Sequence, residues 1–314
     1  MQFETILPFL RPIEHLILDP DISEIMVNAG SRIFIERNGE LVAVNGVVLS
    51  EQALRAAVKN IARRLGDDIS ETKPILDSRL PDGSRVAAVM PPCSIDGITL
   101  TIRKFNTRNF RIADLIANET LTKELADSLL NAVVQRQNIL VSGGTGAGKT
   151  TLLGILADFI PDTNRVLLIE DTAELNIRKD NLVRFEARRE QTGIPSVTIR
   201  DLLKASLRHR PDRIIVGEIR GGEAFDLLQA LNTGHAGSIS TLHANSARQA
   251  LSRFADCVLQ SGIEMPHRAI RSNIANSVDL ILHVARVRGR RVVVEALRVN
   301  SYCAERDEYE FTDL

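Results

Sequence analysis

The sequence of 314 residues lacks the features of a membrane-spanning or disulfide-bonded protein. No apolar run approaches the ~18 residues that a bilayer-spanning helix needs. Its three cysteines, Cys93, Cys257 and Cys303, lie far apart and form no metal-spaced pair, and their odd number is typical of a reducing compartment. The N-terminus carries an early acid, Pro8 and Pro12, unlike a secretory signal peptide. We therefore expect a cytoplasmic protein whose membrane contact, if any, is peripheral.

Neither sign of charge is in excess. The chain has 39 Lys and Arg against 40 Asp and Glu, a net charge of -1, and only 4% aromatic residues. Basic stretches interleaved with aromatics, which line grooves for single-stranded nucleic acid, are missing. Specific nucleic-acid binding is therefore not expected. A composition of 44% hydrophobic and 25% charged residues is that of a globular protein, and the length suits two domains.

The first third of the chain mixes strand and helix patterns. "EIMVN" and "RIFIERNGELVAV" predict strands, with a hairpin turn at Asn38-Gly39. A helix follows the N-cap residue Ser50, and "LDSRLPDGSRVAAVMPP" with "GITLTIRKF" predicts a second pair of strands. We expect an α+β domain over residues 1–104. The polar, irregular stretch "FNTRNFRIADL" then predicts a linker over residues 105–115.

Residues 116–314 show a different pattern, in which apolar strands alternate with amphipathic helices. Examples are "NILVSGG", "KTTLLGILADF", "RVLLIED", "DRIIVGE" and "GSISTLHA". This alternation predicts an α/β domain with a doubly wound, mostly parallel sheet. Two further strands are expected around Gly289.

"GGTGAGKT", Gly143 to Thr150, matches the phosphate-loop motif in full, between a predicted strand and a predicted helix. Backbone N–H groups of such a loop surround a phosphate, Lys149 adds positive charge at the β- and γ-phosphates, and the Thr150 hydroxyl can bind magnesium. The predicted nucleotide-binding residues here are Gly143, Gly144, Thr145, Gly146, Ala147, Gly148, Lys149, Thr150 and Thr151.

Acids and histidines occur at three other strands. "RVLLIEDTAE" carries Glu170 and Asp171, "RIIVGEIR" carries Glu218, and "SISTLHANS" carries His243, with His235 just before that strand. Ligands of open α/β sheets bind at the carboxyl ends of the strands. We therefore expect these side chains at the edge that bears the phosphate loop.

Phosphoryl transfer to water explains why these residue types would be needed. A carboxylate must orient the attacking water, and Glu218 is the candidate. Glu170 or Asp171 would hold magnesium, partly through water, since Gly217 stands where an aspartate is usual. A histidine could bond the γ-phosphate.

Less specific alternatives exist for each group. Glu170 and Asp171 could cap a helix, Glu218 could pair with Arg220 on the surface, and a single histidine is often structural.

The motifs together resemble those of the secretion ATPases, the ring motors of type II and type IV secretion, conjugation and type IV pilus assembly. The resemblance lies in "SGGTGAGKTTLL", "LIEDTAEL" and "LRHRPDRIIVGEIRGGEAFDLLQALNTGHAGSISTLHANS", and extends to "LPDGSRVAAVMPP" and "LTIRKF" in the first third. It implies a RecA-like P-loop domain over 116–314, Mg²⁺-dependent ATP hydrolysis with Lys149, Glu170, Glu218 and His243 as catalytic residues, and a homohexamer. The partners implied are inner-membrane components of a secretion or conjugation machine.

The resemblance also implies that arginines from the first domain reach the nucleotide. By motif position these are Arg85 and Arg103, with Arg208 or Arg210 as a further candidate. The compact first domain is most similar to the conjugative-transfer and type IV secretion branch. The alternatives are a type II secretion or pilus assembly ATPase, and a nucleotide-gated assembly module with negligible turnover.

Overall fold

The structure, a computed structural model, divides the chain into two compact units. These are Met1–Thr107 and Arg108–Leu314. Asn38 of the expected hairpin turn and residues 106–109 of the expected linker lie outside the residues described here. The described residues are 6–37, 39–105, 110–188, 190 and 194–314.

The first unit is built on one antiparallel sheet of six strands, in the order β3-β2-β1-β6-β5-β4. Its helices are α1 (Glu14–Leu18) and α2 (Glu51–Arg64). Its strands are β1 (Ile22–Asn28), β2 (Arg32–Arg37), β3 (Glu40–Val44), β4 (Ile75–Arg79), β5 (Arg85–Val89) and β6 (Thr99–Arg103).

Helix α2 forms where the sequence predicts it. The Ser50 side chain accepts a hydrogen bond from the Ala53 amide, which satisfies one free N–H of the first turn. Leu54, Val58 and Ile61 recur at helical spacing and are fully buried in the core of this unit. The sequence analysis predicts two strands after α2, but the structure has three. "LDSRLPDGSRVAAV" already folds as the β4–β5 hairpin, and β6 joins β5 to β1.

The second unit is an eight-stranded sheet flanked by helices. Its helices are α3 (Ile112–Ala117), α4 (Lys123–Val134), α5 (Lys149–Ala157), α6 (Ile199–Ser206), α7 (Glu223–Asn232), α8 (Ala247–Leu259) and α9 (His267–Ser277). Its strands are β7 (Ile139–Gly143), β8 (Val166–Glu170), β9 (Leu182–Glu186), β10 (Arg213–Ile219), β11 (Ile239–Leu242), β12 (Leu280–Val287), β13 (Arg290–Cys303) and β14 (Glu308–Asp313).

The strand order is β14-β13-β12-β7-β11-β10-β8-β9, and the six strands from β12 to β9 are parallel. Strands β7, β8 and β11 are buried along their whole length, because helices cover both faces of this sheet. The hairpins β12–β13 and β13–β14 extend it as antiparallel strands. The predicted α/β fold of this part, with its smaller α+β partner, is confirmed.

Two details depart from the sequence analysis. Helix α3 begins at Ile112, inside the stretch expected to be an irregular linker. Helices α4 and α9 and strands β9 and β14 were not predicted. Within the described residues, each helix is too short or too polar to cross a bilayer.

Candidate active site

The phosphate loop connects β7 to α5, as its strand–loop–helix context predicts. Gly146 and Gly148 have φ values of 70° and 100°, in the left-handed region that L side chains rarely adopt. Gly148 is the N-cap residue of α5, so the loop leads its free amides directly into the helix N-terminus. Such an end carries partial positive charge and favours an anion.

Lys149 is the first residue of α5 and is only 7% exposed. Its Nζ donates to the Gly144 carbonyl oxygen at 2.9 Å and lies 3.4 Å from His243 Nδ1. Burial lowers the pKa of this ammonium, and the nearby Glu218 carboxylate opposes that shift. The lysine thus closes the loop and directs its charge toward the end of β11.

A chain of polar contacts runs from Lys149 across three neighbouring strand ends. His243 follows β11, and its Nε2 lies 2.8 Å from Glu218 Oε1 near the end of β10. The other oxygen of Glu218 accepts from Arg220 Nη2 at 2.5 Å. Arg220 Nη1 lies 3.5 Å from Asp171 Oδ2, just after β8. We call these five residues, Lys149, His243, Glu218, Arg220 and Asp171, the polar chain.

The surroundings of His243 disfavour its protonated form. Burial lowers the pKa of its imidazole first, and the Lys149 ammonium lowers it further, against the opposite pull of Glu218. The Nε2 atom of His243 lies close to Glu218 Oε1, but Oε1 is buried without a hydrogen bond to the described residues. His243 therefore borders this carboxylate oxygen without bonding it.

Glu170 is buried at the end of β8, with 3% exposure. Its Oε1 accepts from the Glu174 and Leu175 amides, both at 2.8 Å, so it orders the turn after the strand. The predicted alternative of a helix cap is wrong, since residues 171–179 are not helical. Oε2 is buried without a hydrogen bond to the described residues, and the nearest cation, Arg184 Nη2, lies 3.7 Å away. Burial raises the pKa of this carboxyl to about 6.

Gly217 lies against a side chain of the neighbouring strand β8. A Cβ built at this position would lie 3.1 Å from Glu170 Cγ, which is tighter than nine in ten real Cβ contacts. Its φ is not in the left-handed region, so packing rather than backbone conformation favours the small residue. Thr241 donates to the Gly217 carbonyl oxygen at 2.7 Å and ties β11 to this point.

Two predicted site residues lie at the other edge of the sheet. His235 precedes β11, and its amide bonds the Ala230 carbonyl at the end of α7. Arg208 and Arg210 precede β10, where the His209 carbonyl accepts from Arg165, the residue before β8. In a parallel sheet the amino ends of strands lie opposite the phosphate loop. His235 therefore does not lie at the edge that bears the phosphate loop, where it was expected, and the contact of His235 or Arg208 with a nucleotide remains a prediction.

Arg85 and Arg103 are brought together in the first unit, as direct cross-strand partners on β5 and β6. Arg85 pairs with Asp77 at 3.2 Å and Arg103 with Glu24 at 3.2 Å. Their contact with a nucleotide remains a prediction.

The comparisons with known proteins agree with this geometry. The family model described as "Type II/IV secretion system protein" matches residues 9–304. The chain belongs to this family.

Curated members of the type II/IV secretion family match nearly the whole chain. A conjugal transfer protein TrbB from Rhizobium radiobacter is 36% identical over 297 residues, covering 91% of this chain and 88% of its own. A type IV secretion system protein VirB11 from Bartonella quintana is 32% identical over 326 residues and covers 92% of each chain.

Solved structures give the same relationship. The VirB11 ATPase of the Brucella suis type IV secretion system, in complex with sulphate, is 32% identical, covers 94% of both chains and has a TM-score of 0.51. The Legionella pneumophila ATPase DotB is 25% identical, covers 96% of this chain and 82% of its own, and has a TM-score of 0.64. The predicted resemblance to secretion ATPases is confirmed.

Two residues of this secretion-family site were not among the predicted site residues. Arg220 was considered only as a surface partner of Glu218, yet it also links Glu218 to Asp171. Its position two residues after an acidic strand end is a signal that sequence analysis could have used. Thr241 carries no comparable signal, because its role depends on the pairing of β11 with β10.

Glu170→Gln is expected to stabilise the fold while weakening catalysis. A folded-state pKa of about 6 against an ordinary 4.5 means that the ionised carboxyl disfavours folding at neutral pH. That cost is about 2 kcal/mol, appears as pH rises from 4.5 to about 6, and is absent below 4.5. Glutamine keeps the acceptor for both amides and has no charge to bury, but its N–H groups lie toward Arg184. We therefore expect the free energy of unfolding to rise by about 1 kcal/mol at neutral pH. Urea unfolding at pH 5 and pH 8 measures this free energy.

The same variant should lose turnover, because a magnesium-holding group needs its negative charge. The matched control is Glu174→Gln, in the adjacent loop, for which neither effect is expected. If the free energy of unfolding depended on pH equally in Glu170→Gln and the parent chain, Glu170 would not be the carboxyl whose ionisation disfavours folding.

Proposed function

We propose that this protein hydrolyses ATP with Mg²⁺ as a homohexameric motor of a type IV secretion or conjugation apparatus. The single observation that carries the proposal is the polar chain. It connects the phosphate-loop lysine to the carboxylate of Glu218 through His243, at adjoining strand ends of one sheet edge. Residues that only stabilise the fold could lie anywhere in the sheet, whereas this chain of contacts begins at a loop whose shape suits an anion.

The residues present fit a magnesium ion. Magnesium is usually held by one or two carboxylates together with phosphate oxygens and water. Glu170 Oε2, a buried oxygen without a hydrogen bond to the described residues, supplies such a carboxylate, and Asp171 follows it at the same strand end. The Thr150 hydroxyl at the start of α5 completes the set. When bound, the ion would neutralise charge that develops on the phosphates.

Glu218 is assigned to the attacking water. One oxygen of its side chain accepts from Arg220 Nε at 2.7 Å, and the other, next to His243, is buried without a hydrogen bond to the described residues. A fixed carboxylate can accept a hydrogen bond from water and align it with the γ-phosphate. Lys149 and the amides of residues 144–151 bind the phosphates, and His243, next to Lys149, is placed to sense them.

The first unit is assigned a second set of phosphate contacts. Arg85 and Arg103 lie directly opposite each other on neighbouring strands, and like charges so placed are unfavourable unless anions offset them. Asp77 and Glu24 pair one to one with these two arginines. A nucleotide phosphate would compete with the two carboxylates for the guanidinium groups.

The choice of machine and of assembly rests on the relatives. The chain covers nearly the full length of proteins named for conjugal transfer and type IV secretion. We infer the same setting here, with inner-membrane components of such a machine as partners and a position in the cytoplasm or on the cytoplasmic face of that membrane.

Purified protein tests the proposal directly. We expect multiple-turnover phosphate release that requires Mg²⁺, and a shift to a sixfold mass on adding a non-hydrolysable ATP analogue. Phosphate release that stops at one equivalent per subunit would identify a nucleotide-gated module instead. A chain that stays monomeric with nucleotide at every concentration would contradict the ring. Lys149→Ala should abolish both properties.

A further inference from the structure

The β12–β13 hairpin packs against the outer side of the phosphate loop. Strand β12 runs parallel to β7 with Val284 beside Gly143, and it continues to Val287 after β7 has ended. A Cβ on Gly143 would lie only 2.3 Å from the Val284 carbonyl oxygen. There is therefore no room for a side chain at Gly143 between the hairpin and the loop.

Arg291, near the start of β13, makes the second contact. Its Nε donates to the Gly146 carbonyl oxygen at 3.2 Å. Its Cδ would lie 3.0 Å from a Cβ on Gly148, so the stem of the arginine occupies space that this glycine leaves. The loop is thus held by a side chain from a segment more than 140 residues later in the sequence.

The charge of Arg291 is not matched by a carboxylate among the described residues. The neighbouring Arg290 is different, since it pairs with Glu119 at 2.5 Å. An anion bound at the loop would offset the charge of Arg291.

We propose that Arg291 is a positioning residue for the nucleotide polyphosphate. Its Nε–H bond holds the Gly146 carbonyl on the outer side of the loop, which leaves the loop amides facing inward. Its guanidinium adds unpaired positive charge to the field that the polyphosphate meets. The role of the β12–β13 hairpin is then to support nucleotide binding, and this role rests on the proposed function.

The test compares two variants that each remove one positive charge from adjacent positions, Arg291→Gln and Arg290→Gln. Calorimetric titration with ADP needs no turnover. At low salt we expect the Kd of Arg291→Gln to rise about 10-fold, as for the loss of a charged hydrogen-bonding group. At 1 M salt, where the Debye length is about 3 Å, the ratio to the parent chain should shrink to about twofold. Arg290→Gln should stay within twofold at both salts.

Arg291→Lys separates charge from loop support. It should recover most of the low-salt affinity lost in Arg291→Gln, and the melting temperatures of all three ligand-free variants should match the parent. An Arg291→Gln protein that binds ADP within twofold of the parent at low salt overturns the proposal. A loss that is the same at both salts overturns the contribution of the guanidinium charge and leaves only the hydrogen bond to Gly146.

Lys149→Ala distinguishes this proposal from the underlying function. If Lys149→Ala binds ADP as tightly as the parent chain, the nucleotide site itself is wrong. If Lys149→Ala loses binding and Arg291→Gln does not, only the role of Arg291 is wrong.

Discussion

Glu218→Gln is expected to reduce steady-state ATP turnover about 100-fold or more while nucleotide still binds. Glutamine has nearly the shape of glutamate, so it can still contact Arg220, which donates to one of the two carboxylate oxygens. It lacks the negative charge that orients and polarises the attacking water. Phosphate release under saturating ATP, together with the Kd for ADP, measures the two effects separately.

Two control variants help to interpret this result. Glu264→Gln makes the same chemical change at an exposed position between α8 and α9 and should leave turnover unchanged. Lys149→Ala should lose binding and turnover together. If Glu218→Gln retained more than a tenth of the parent turnover, Glu218 would not be the water-orienting residue, and the polar chain would need another role.

Arg213→Ala is expected to destabilise the second unit by about 3–5 kcal/mol. Arg213 begins β10 and is 1% exposed, and burial lowers the pKa of its guanidinium to about 10. Its three donors reach Asn164 Oδ1 at 2.9 Å, the Val133 carbonyl oxygen at 2.9 Å and the Gly237 carbonyl oxygen at 3.3 Å. Alanine would leave all three acceptors unpaired and a cavity beside them.

Comparison variants divide this cost into its parts. Arg213→Met fills the space without the donors, so it should lose less than alanine but still about 1–3 kcal/mol. Arg136→Ala is the matched control, because Arg136 also donates to a carbonyl oxygen, that of Asp212, but is exposed; its expected cost is below about 1 kcal/mol. The urea midpoint of each variant is the measurement. If Arg213→Ala left the stability unchanged, the cost of burying the guanidinium would equal the stabilisation from its hydrogen bonds.

Sequence analysis predicts those parts of the site that are local. The phosphate loop is one continuous strand–loop–helix segment, and Glu170, Glu218 and His243 each lie at or next to the end of a recognisable strand. His235 was misplaced because sequence proximity was taken for spatial proximity. It lies eight residues from His243, but β11 runs between them and advances about 3.3 Å per residue, so the two histidines lie at opposite edges.

Other features depend on contacts that no short segment contains. The burial of Arg213 requires α4, the loop before β8 and the loop before β11 to converge, and arginine is otherwise mostly exposed. Arg291 contacts the loop only because β12 pairs with β7 and β13 turns back on it. The reason for Gly217 appears only when β8 lies beside β10.

The contact between Gly217 and Glu170 has a consequence for any substitution at position 217. A Cβ there would lie 3.1 Å from Glu170 Cγ, so the Glu170 side chain would have to shift by a few tenths of an ångström to make room. The Oε1 atom of that side chain orders the turn after β8 through the Glu174 and Leu175 amides. A larger residue on β10 would therefore act on the neighbouring strand as well as on its own.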